Sequence, residues 1–236
     1  MVGPDRNLNT LEYLQAQGLS FDNVRVQHTP ELHSDILVAR TAIKGLLVVL
    51  TRRFPDHRGW FAETYRESFP RQLYGKDIHY TQAQFAMTRR RGNIRGIHSE
   101  AGVNGEPMYK IIRVMTGAIM GFWIDLDPNR DTFLARQSIF LKAVKLTSKD
   151  PYDVSMYIPP NIGNSFQVTQ GNVLYYYSVG LEYWQLAQTR QIAISPNDPD
   201  VGVNWPYKVR GLTERDTTNS LTLKQYLLQV VGYTLK

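Results

Sequence analysis

The chain has 236 residues, of which 42% are hydrophobic, 20% charged and 11% aromatic, a composition that fits an ordinary globular domain and excludes a disordered, collagen-like or coiled-coil protein. It contains no cysteine, which removes disulfides, thiol nucleophiles, zinc ribbons and iron–sulfur clusters from consideration. Twenty-seven basic against 21 acidic residues give a net charge of +6, a field that suits nucleotides and sugar phosphates as well as larger polyanions.

No apolar run approaches the roughly 18 residues of a membrane span, and the opening residues lack the apolar core of a signal peptide. Neither membrane association nor secretion is expected, and the expected location is cytoplasmic. In residues 1–44, Leu8, Leu11, Leu14 and Leu19 are spaced as one short amphipathic helix, and a polar stretch with Pro30 and His33 follows. This region reads as an N-terminal extension or arm. From Gly45 the pattern changes to short runs rich in Val, Ile, Phe, Tyr and Thr, broken by Gly, Pro, Asn and Asp, the signature of antiparallel strands and turns. The runs are Leu46 to Thr51, Trp60 to Tyr65, Asn93 to His98, Tyr109 to Met115, Ala118 to Leu126, Phe133 to Leu141, Ser165 to Val168 and Asn172 to Ser178. Thr116-Gly117 between two of them predicts a hairpin over 109–126. Many short strands without alternating helices predict a mainly β protein, a double-sheet jelly roll over 45–219. Residues 220–236, with Leu221, Leu223, Leu227, Leu228 and Val231, read as a closing amphipathic helix.

The absences prune function. There is no glycine-rich phosphate loop, no Gly-x-Ser-x-Gly elbow and no histidine pair at helical spacing. After His98 the chain has no histidine at all, so a jelly-roll metal site of several histidines and a carboxylate is not expected. The cluster Arg89, Arg90, Arg91 and Arg95 is short and lies between strand-like runs; it reads as a solvated turn, and no nucleic acid partner is expected. What remains is His98 at a strand end, Lys110 opening the next strand, and Tyr175-Tyr176-Tyr177, in which alternation puts Tyr175 and Tyr177 on one face. A histidine base, a cationic partner for an oxyanion and a phenolic acid are the equipment for proton abstraction beside a carbonyl. The same residues also suit a structural histidine, a surface lysine and core tyrosines.

A series of short motifs bears on that choice: Asp56-His57-Arg58-Gly59-Trp60-Phe61 with Glu63, Arg95-Gly96-Ile97-His98, Lys110-Ile111-Ile112-Arg113-Val114, Ile158-Pro159-Pro160, Asn197-Asp198-Pro199, Gly202-Val203-Asn204-Trp205-Pro206 and Leu212-Thr213-Glu214-Arg215-Asp216. In this order, over about Gly45 to Asp216, the chain resembles the dTDP-4-dehydrorhamnose 3,5-epimerase family, cupins that act without metal or organic cofactor on nucleotide-linked 4-keto-6-deoxy sugars. The resemblance implies a cupin-type double-stranded β-helix, a homodimer, and epimerisation at C3, C5 or both of a dTDP-linked 4-keto-6-deoxyhexose. It implies His98 as base, Asp198 as its orienting carboxylate, Lys110 beside the enolate oxygen and Tyr175 as acid on the opposite face. Arg58, Phe61, Glu63, Gln82 and Arg95 match positions that hold the nucleotide and pyrophosphate, some across the dimer interface. The chain also departs from the pattern. Asn164 stands where the family has a second histidine, also at the substrate, and Ser99-Glu100 replace an aromatic and a glutamine after His98. Two further readings share the scaffold: a sugar-nucleotide 3,4-ketoisomerase, and a non-catalytic sugar-nucleotide-binding cupin.

Overall fold

The computed structural model describes residues 8–27, 33–102, 105–144, 149–186 and 191–232. The predicted N-terminal helix forms as α1 (Thr10–Gln15), set by a capping box in which Asn9 and Glu12 satisfy each other's backbone N–H groups. The polar stretch after it forms two strands that the sequence pattern did not show, β1 (Phe21–Gln27) and β2 (His33–Arg40), paired antiparallel. Pro30 of that stretch lies outside the described residues. The expected arm is therefore built into the body: Tyr13 and Leu14 of α1 are buried in the largest core cluster, and β2 pairs with β3 (Leu47–Asp56). Asp150 holds α1 in place by accepting from Thr10 N at 2.6 Å and from its hydroxyl at 2.5 Å.

The remaining strands are β4 (Gly59–Ala62), β5 (Gln82–Thr88), β6 (Ile94–Ser99), β7 (Lys110–Asp125), β8 (Arg136–Lys142), β9 (Tyr152–Ile158), β10 (Ile162–Val179) and β11 (Ile192–Ala193). All join one antiparallel system in the order β1-β2-β3-β9-β7-β10-β6-β11, with β4 on β3, β5 on β10 and β8 on β7. This is the mainly β cupin-type jelly roll that the sequence pattern and the resemblance led us to expect. A short helix α2 (Ser68–Tyr74) packs beside β1, and its Phe69 joins Val49 and Tyr157 in one buried cluster.

The hairpin expected over 109–126 does not form. Residues 110–125 are one strand that bends at Thr116-Gly117, pairing with β9 before the bend and with β8 after it. The two runs expected at 165–168 and 172–178 likewise fuse into β10, which follows β7 through the bend with register shifts between Val168 and Tyr175. The turn chemistry is real but local. Gly117 has φ +74°, and a Cβ there would meet the carbonyl oxygens of Gln170 at 2.6 Å and Asn172 at 2.9 Å. Thr116 donates its hydroxyl to Asn172 O and accepts from Leu174 N, so the corner is hydrogen-bonded without a chain reversal.

The C-terminal helix is shorter than expected. It consists of α3 (Leu223–Tyr226) and a wider turn over Leu227–Val231, and residues 233–236 fall outside the described set. Leu223, Tyr226 and Leu227 pack on Ile97, Phe122 and Ile124, and Tyr226 donates to Leu126 O at 2.6 Å. Among the described residues no helix is long and apolar enough to cross a membrane.

The β7–β10 corner gives a direct test. Gly117→Ala combines a strained left-handed backbone with a clash against two carbonyls and should cost at least about 2 kcal/mol, seen as a lower urea midpoint. Unchanged stability would mean that the corner does not require glycine.

Candidate active site

The sheet closes around a cleft of about 470 Å³, open to solvent at one end and lined by β5, β6, β7, β10 and the 211–216 segment. His98 reaches it from β6, Lys110 from the first position of β7, and Tyr175 and Asn164 from β10. The register explains this convergence: Asn164 lies opposite both His98 and Trp123, and Tyr175 lies opposite Ala86 and Val114. Gly96 allows the approach. It has φ +100°, and a Cβ would stand 2.4 Å from Asn164 O, so no other residue brings β6 this close to β10 at that point.

His98 Nε2 lies 2.7 Å from Asp216 Oδ1. The other oxygen of Asp216 accepts from Thr213 N at 3.1 Å and from the Thr213 hydroxyl at 2.8 Å, closing a capping box around the 3-10 turn Glu214–Asp216. Asp216 is 3% exposed. Burial pushes its carboxyl up, but the hydrogen bonds from His98 and Thr213 outweigh burial and hold it below the usual carboxylate range. An ionised carboxylate only accepts, so in the neutral form of the imidazole Nε2 carries the hydrogen and Nδ1 the lone pair.

Asp198 is not the partner of His98. Its side chain caps the 3-10 turn Pro199–Val201 by accepting from Asp200 N at 3.1 Å, and its other oxygen accepts from Leu223 N at 2.5 Å. Proline after an N-cap aspartate starts a turn, and both oxygens are spent, one capping this turn and the other tying it to α3. The carboxylate that reaches His98 lies in Leu212-Thr213-Glu214-Arg215-Asp216, where Thr-x-x-Asp is itself a capping pattern that positions an aspartate.

Lys110 Nζ lies 3.2 Å from Glu100 Oε2, and Arg215 Nη2 donates to Glu100 Oε1 at 2.9 Å. Burial raises the Glu100 carboxyl, yet the two cations overcome it and bring it down to about 2. Tyr175 is buried and stacks on Phe166 with ring centroids 4.5 Å apart. Among the described residues, neither its hydroxyl nor Asn164 Oδ1 has a hydrogen-bond partner. Burial pushes the phenol well up, partly opposed by the nearby Asn164 side chain.

The nucleotide positions divide. Arg95 lines the cleft, donating to the Thr88 hydroxyl at 2.7 Å and to Met87 O at 3.2 Å. Arg58, Phe61, Glu63 and Gln82 do not line it. Arg58 sits on the β3–β4 turn paired with Asp56, Phe61 is 69% exposed on β4, Glu63 pairs with Arg66, and Gln82 accepts from Tyr183 N at 2.7 Å. Arg215 and Tyr177 also line the cleft; the sequence reading gave neither a role.

With this geometry in hand, the model of the dTDP-4-dehydrorhamnose 3,5-epimerase family matches residues 40–224. The chain belongs to this family. It is 27% identical over 176 residues to a dTDP-4-dehydrorhamnose 3,5-epimerase of Streptomyces griseus, covering 74% of this chain and 81% of that one. It is also 27% identical over 168 residues to a dTDP-4-dehydro-6-deoxyglucose 3-epimerase of Streptomyces bikiniensis, covering 71% and 79% respectively. Among solved structures, a 3'-monoepimerase from Streptomyces bikiniensis in complex with dTDP-quinovose superposes with a TM-score of 0.67 at 26% identity, covering 79% of this chain and 87% of its own. The relatives thus include both double and single epimerases, and family membership alone leaves the number of inverted centres open.

The depressed carboxyl of Asp216 fixes a pH signature. A lowered folded-state pKa stabilises the fold above the unfolded value, roughly 4, and that contribution disappears as pH falls through the lower folded value. Asp216→Asn should therefore be less stable than wild type near neutrality, with the gap closing as pH drops below about 4 in denaturant titrations. A gap independent of pH would contradict an ionised, hydrogen-bonded Asp216.

Proposed function

We propose that the cleft epimerises a dTDP-linked 4-keto-6-deoxyhexose by removing a proton from the carbon beside the C4 ketone. The observation that carries this reading is the joint presence in one cleft of a carboxylate-oriented imidazole, an ammonium and a buried phenol. In this reading His98 Nδ1 takes the proton from C3 or C5, and its positive charge is balanced by Asp216. The pair of electrons left behind moves into the C4 carbonyl, and the Lys110 ammonium faces the resulting enolate oxygen. Electrostatic stabilisation of an oxyanion by a fixed donor is worth roughly 3–4 kcal/mol of barrier.

Tyr175 then gives its phenolic proton to the same carbon from the other face, which inverts it. Burial favours the neutral phenol over the phenolate, so Tyr175 stays protonated until a strongly basic carbon is presented to it. Both groups regain their starting protonation by exchange with water, so solvent hydrogen enters the product at each inverted carbon. Asn164, beside Tyr175, replaces a second histidine of the family pattern with a group that hydrogen-bonds but carries no charge.

The nucleotide belongs at the open end of the cleft, where Arg95 and Arg89 offer cationic side chains to a pyrophosphate. Arg58 and Phe61 are displayed on the β3–β4 hairpin away from this cleft, which supports a homodimer in which each copy lends them to the other's nucleotide. The cytoplasmic location is part of the same proposal.

Incubation with dTDP-4-keto-6-deoxyglucose in deuterium oxide tests the reading. Deuterium should enter at C3, at C5 or at both, and the number of labelled positions reports single or double epimerisation. His98→Asn should reduce exchange by about 10³-fold or more, the loss expected when an essential general base is removed, while dTDP binding persists. A 3-keto product would favour the ketoisomerase, and tight dTDP binding without exchange in wild type would favour a non-catalytic binding protein.

A further inference from the structure

Glu100 is unexplained by the chemistry above: a carboxylate 17% exposed in its side chain, within a cleft meant for an anionic substrate. It directly follows β6, two residues after His98, and both side chains line the cleft. Its two oxygens are divided. Oε2 meets Lys110 Nζ at 3.2 Å, and Oε1 takes the guanidinium of Arg215 at 2.9 Å. Arg215 is the residue before Asp216 on the same 3-10 turn. Two ties therefore join β6 and the residue that follows it to this turn, His98 to Asp216 and Glu100 to Arg215, and the second tie extends to the lysine.

We propose that Glu100 is a positioning residue for the proton-transfer reaction, one carboxylate that fixes Lys110 against the keto oxygen and locks the turn that bears Asp216. The inference rests on the epimerase reading and adds a residue to it. Lys110 Nζ has three hydrogens and gives one direction to Glu100, leaving the others for the enolate oxygen. Without a carboxylate between them, Lys110 and Arg215 become two uncompensated cations in a half-closed site and move apart. The turn then loses its side-chain anchor to β6, and Asp216 is held only by its own capping box and the imidazole it is meant to orient. Glutamine, the residue of the family pattern at this position, offers one carbonyl oxygen without charge, so it meets part of the demand that alanine leaves wholly unmet.

Two measurements on the full chain test this. In the first, amide hydrogen exchange is followed by mass spectrometry for Glu100→Ala, Glu100→Gln and wild type. Exchange across 213–217 should rise several-fold in Glu100→Ala, while peptides from β7 and β10 stay protected. In the second, solvent deuterium incorporation into the 4-keto sugar nucleotide is measured at steady state. Turnover should fall in the order wild type, Glu100→Gln, Glu100→Ala, by about tenfold or more at the end of the series, with KM changed by less than about threefold because binding is left in place.

Wild-type turnover in Glu100→Ala, an equal loss in both variants, a loss carried by KM, or unaltered exchange over 213–217 would each overturn the proposal while leaving the epimerase reading intact. A wild-type protein that incorporates no deuterium would sink the epimerase reading, and with it any role of Glu100 in the reaction. In that case the exchange data would still report whether Glu100 clamps the turn.

Discussion

The antiparallel pairing of β10 with β7 on one side and with β6 and β5 on the other governs where every reacting group stands. Because β10 bends with β7 at Gly117 and continues, a single strand carries Asn164 on one side of the bend and Tyr175 on the other. Its neighbours supply His98 and Lys110 from β6 and β7. Side chains of one strand point alternately to opposite faces, so a slip of one residue would send Tyr175 into solvent and Tyr176 into the barrel. Burial enforces the observed register beyond the bend: Val173 and Tyr175 fill the core, whereas Asn172, one residue out of phase, is exposed. The rigidity of the site is thus inherited from the packing of the barrel.

The electrostatics of the cleft follow from local compensation. Lys110, Arg215, Arg95 and Arg89 make the cleft positive, as an anionic substrate requires, yet the two cations nearest the base share the carboxylate of Glu100. The imidazole is matched to Asp216 on the same turn as Arg215. In the proposed reaction, charge developing during proton transfer would be met by groups already in place, with little reorganisation. Tyr175 is placed differently, in apolar surroundings against Phe166, where a neutral phenol is favoured. The proposed base and acid thus stand in different environments, the imidazole against a buried carboxylate and the phenol against an aromatic ring.

Much of this arrangement was legible in the sequence, and the failures have physical causes. Strands such as β3 and β6 were visible because their apolar runs are bounded by turn residues. β9 was missed because its last five residues are all buried, so no alternation marks it. The 109–126 hairpin was a false reading because glycine at a left-handed corner looks the same whether the chain reverses or only bends. β1 and β2 carry a weakly apolar pattern, and what it lacks is supplied by pairing, β2 with β3 and β1 with β2. His98, Lys110 and Tyr175 were legible through the family motifs. The carboxylate was misassigned because Asp198 and Asp216 both lie in such motifs, and only the fold shows that the first is used up on Leu223 N while the second reaches the imidazole. Arg58, Phe61, Glu63 and Gln82 were singled out by motif alone, and one copy of the chain does not bring them to the cleft.

Asp216 sets the tautomer and orientation of the His98 ring in this site, and nitrogen-15 NMR of the histidine rings reads both without reference to any substrate. With His98 assigned through His98→Asn, the wild-type ring should show a protonated Nε2 and a lone pair on Nδ1 at neutral pH. Asp216→Asn should disturb that pattern, and Asp198→Asn should leave it as it is. A His98 ring indifferent to Asp216, or one that responds to Asp198 in its place, would contradict the account of the site.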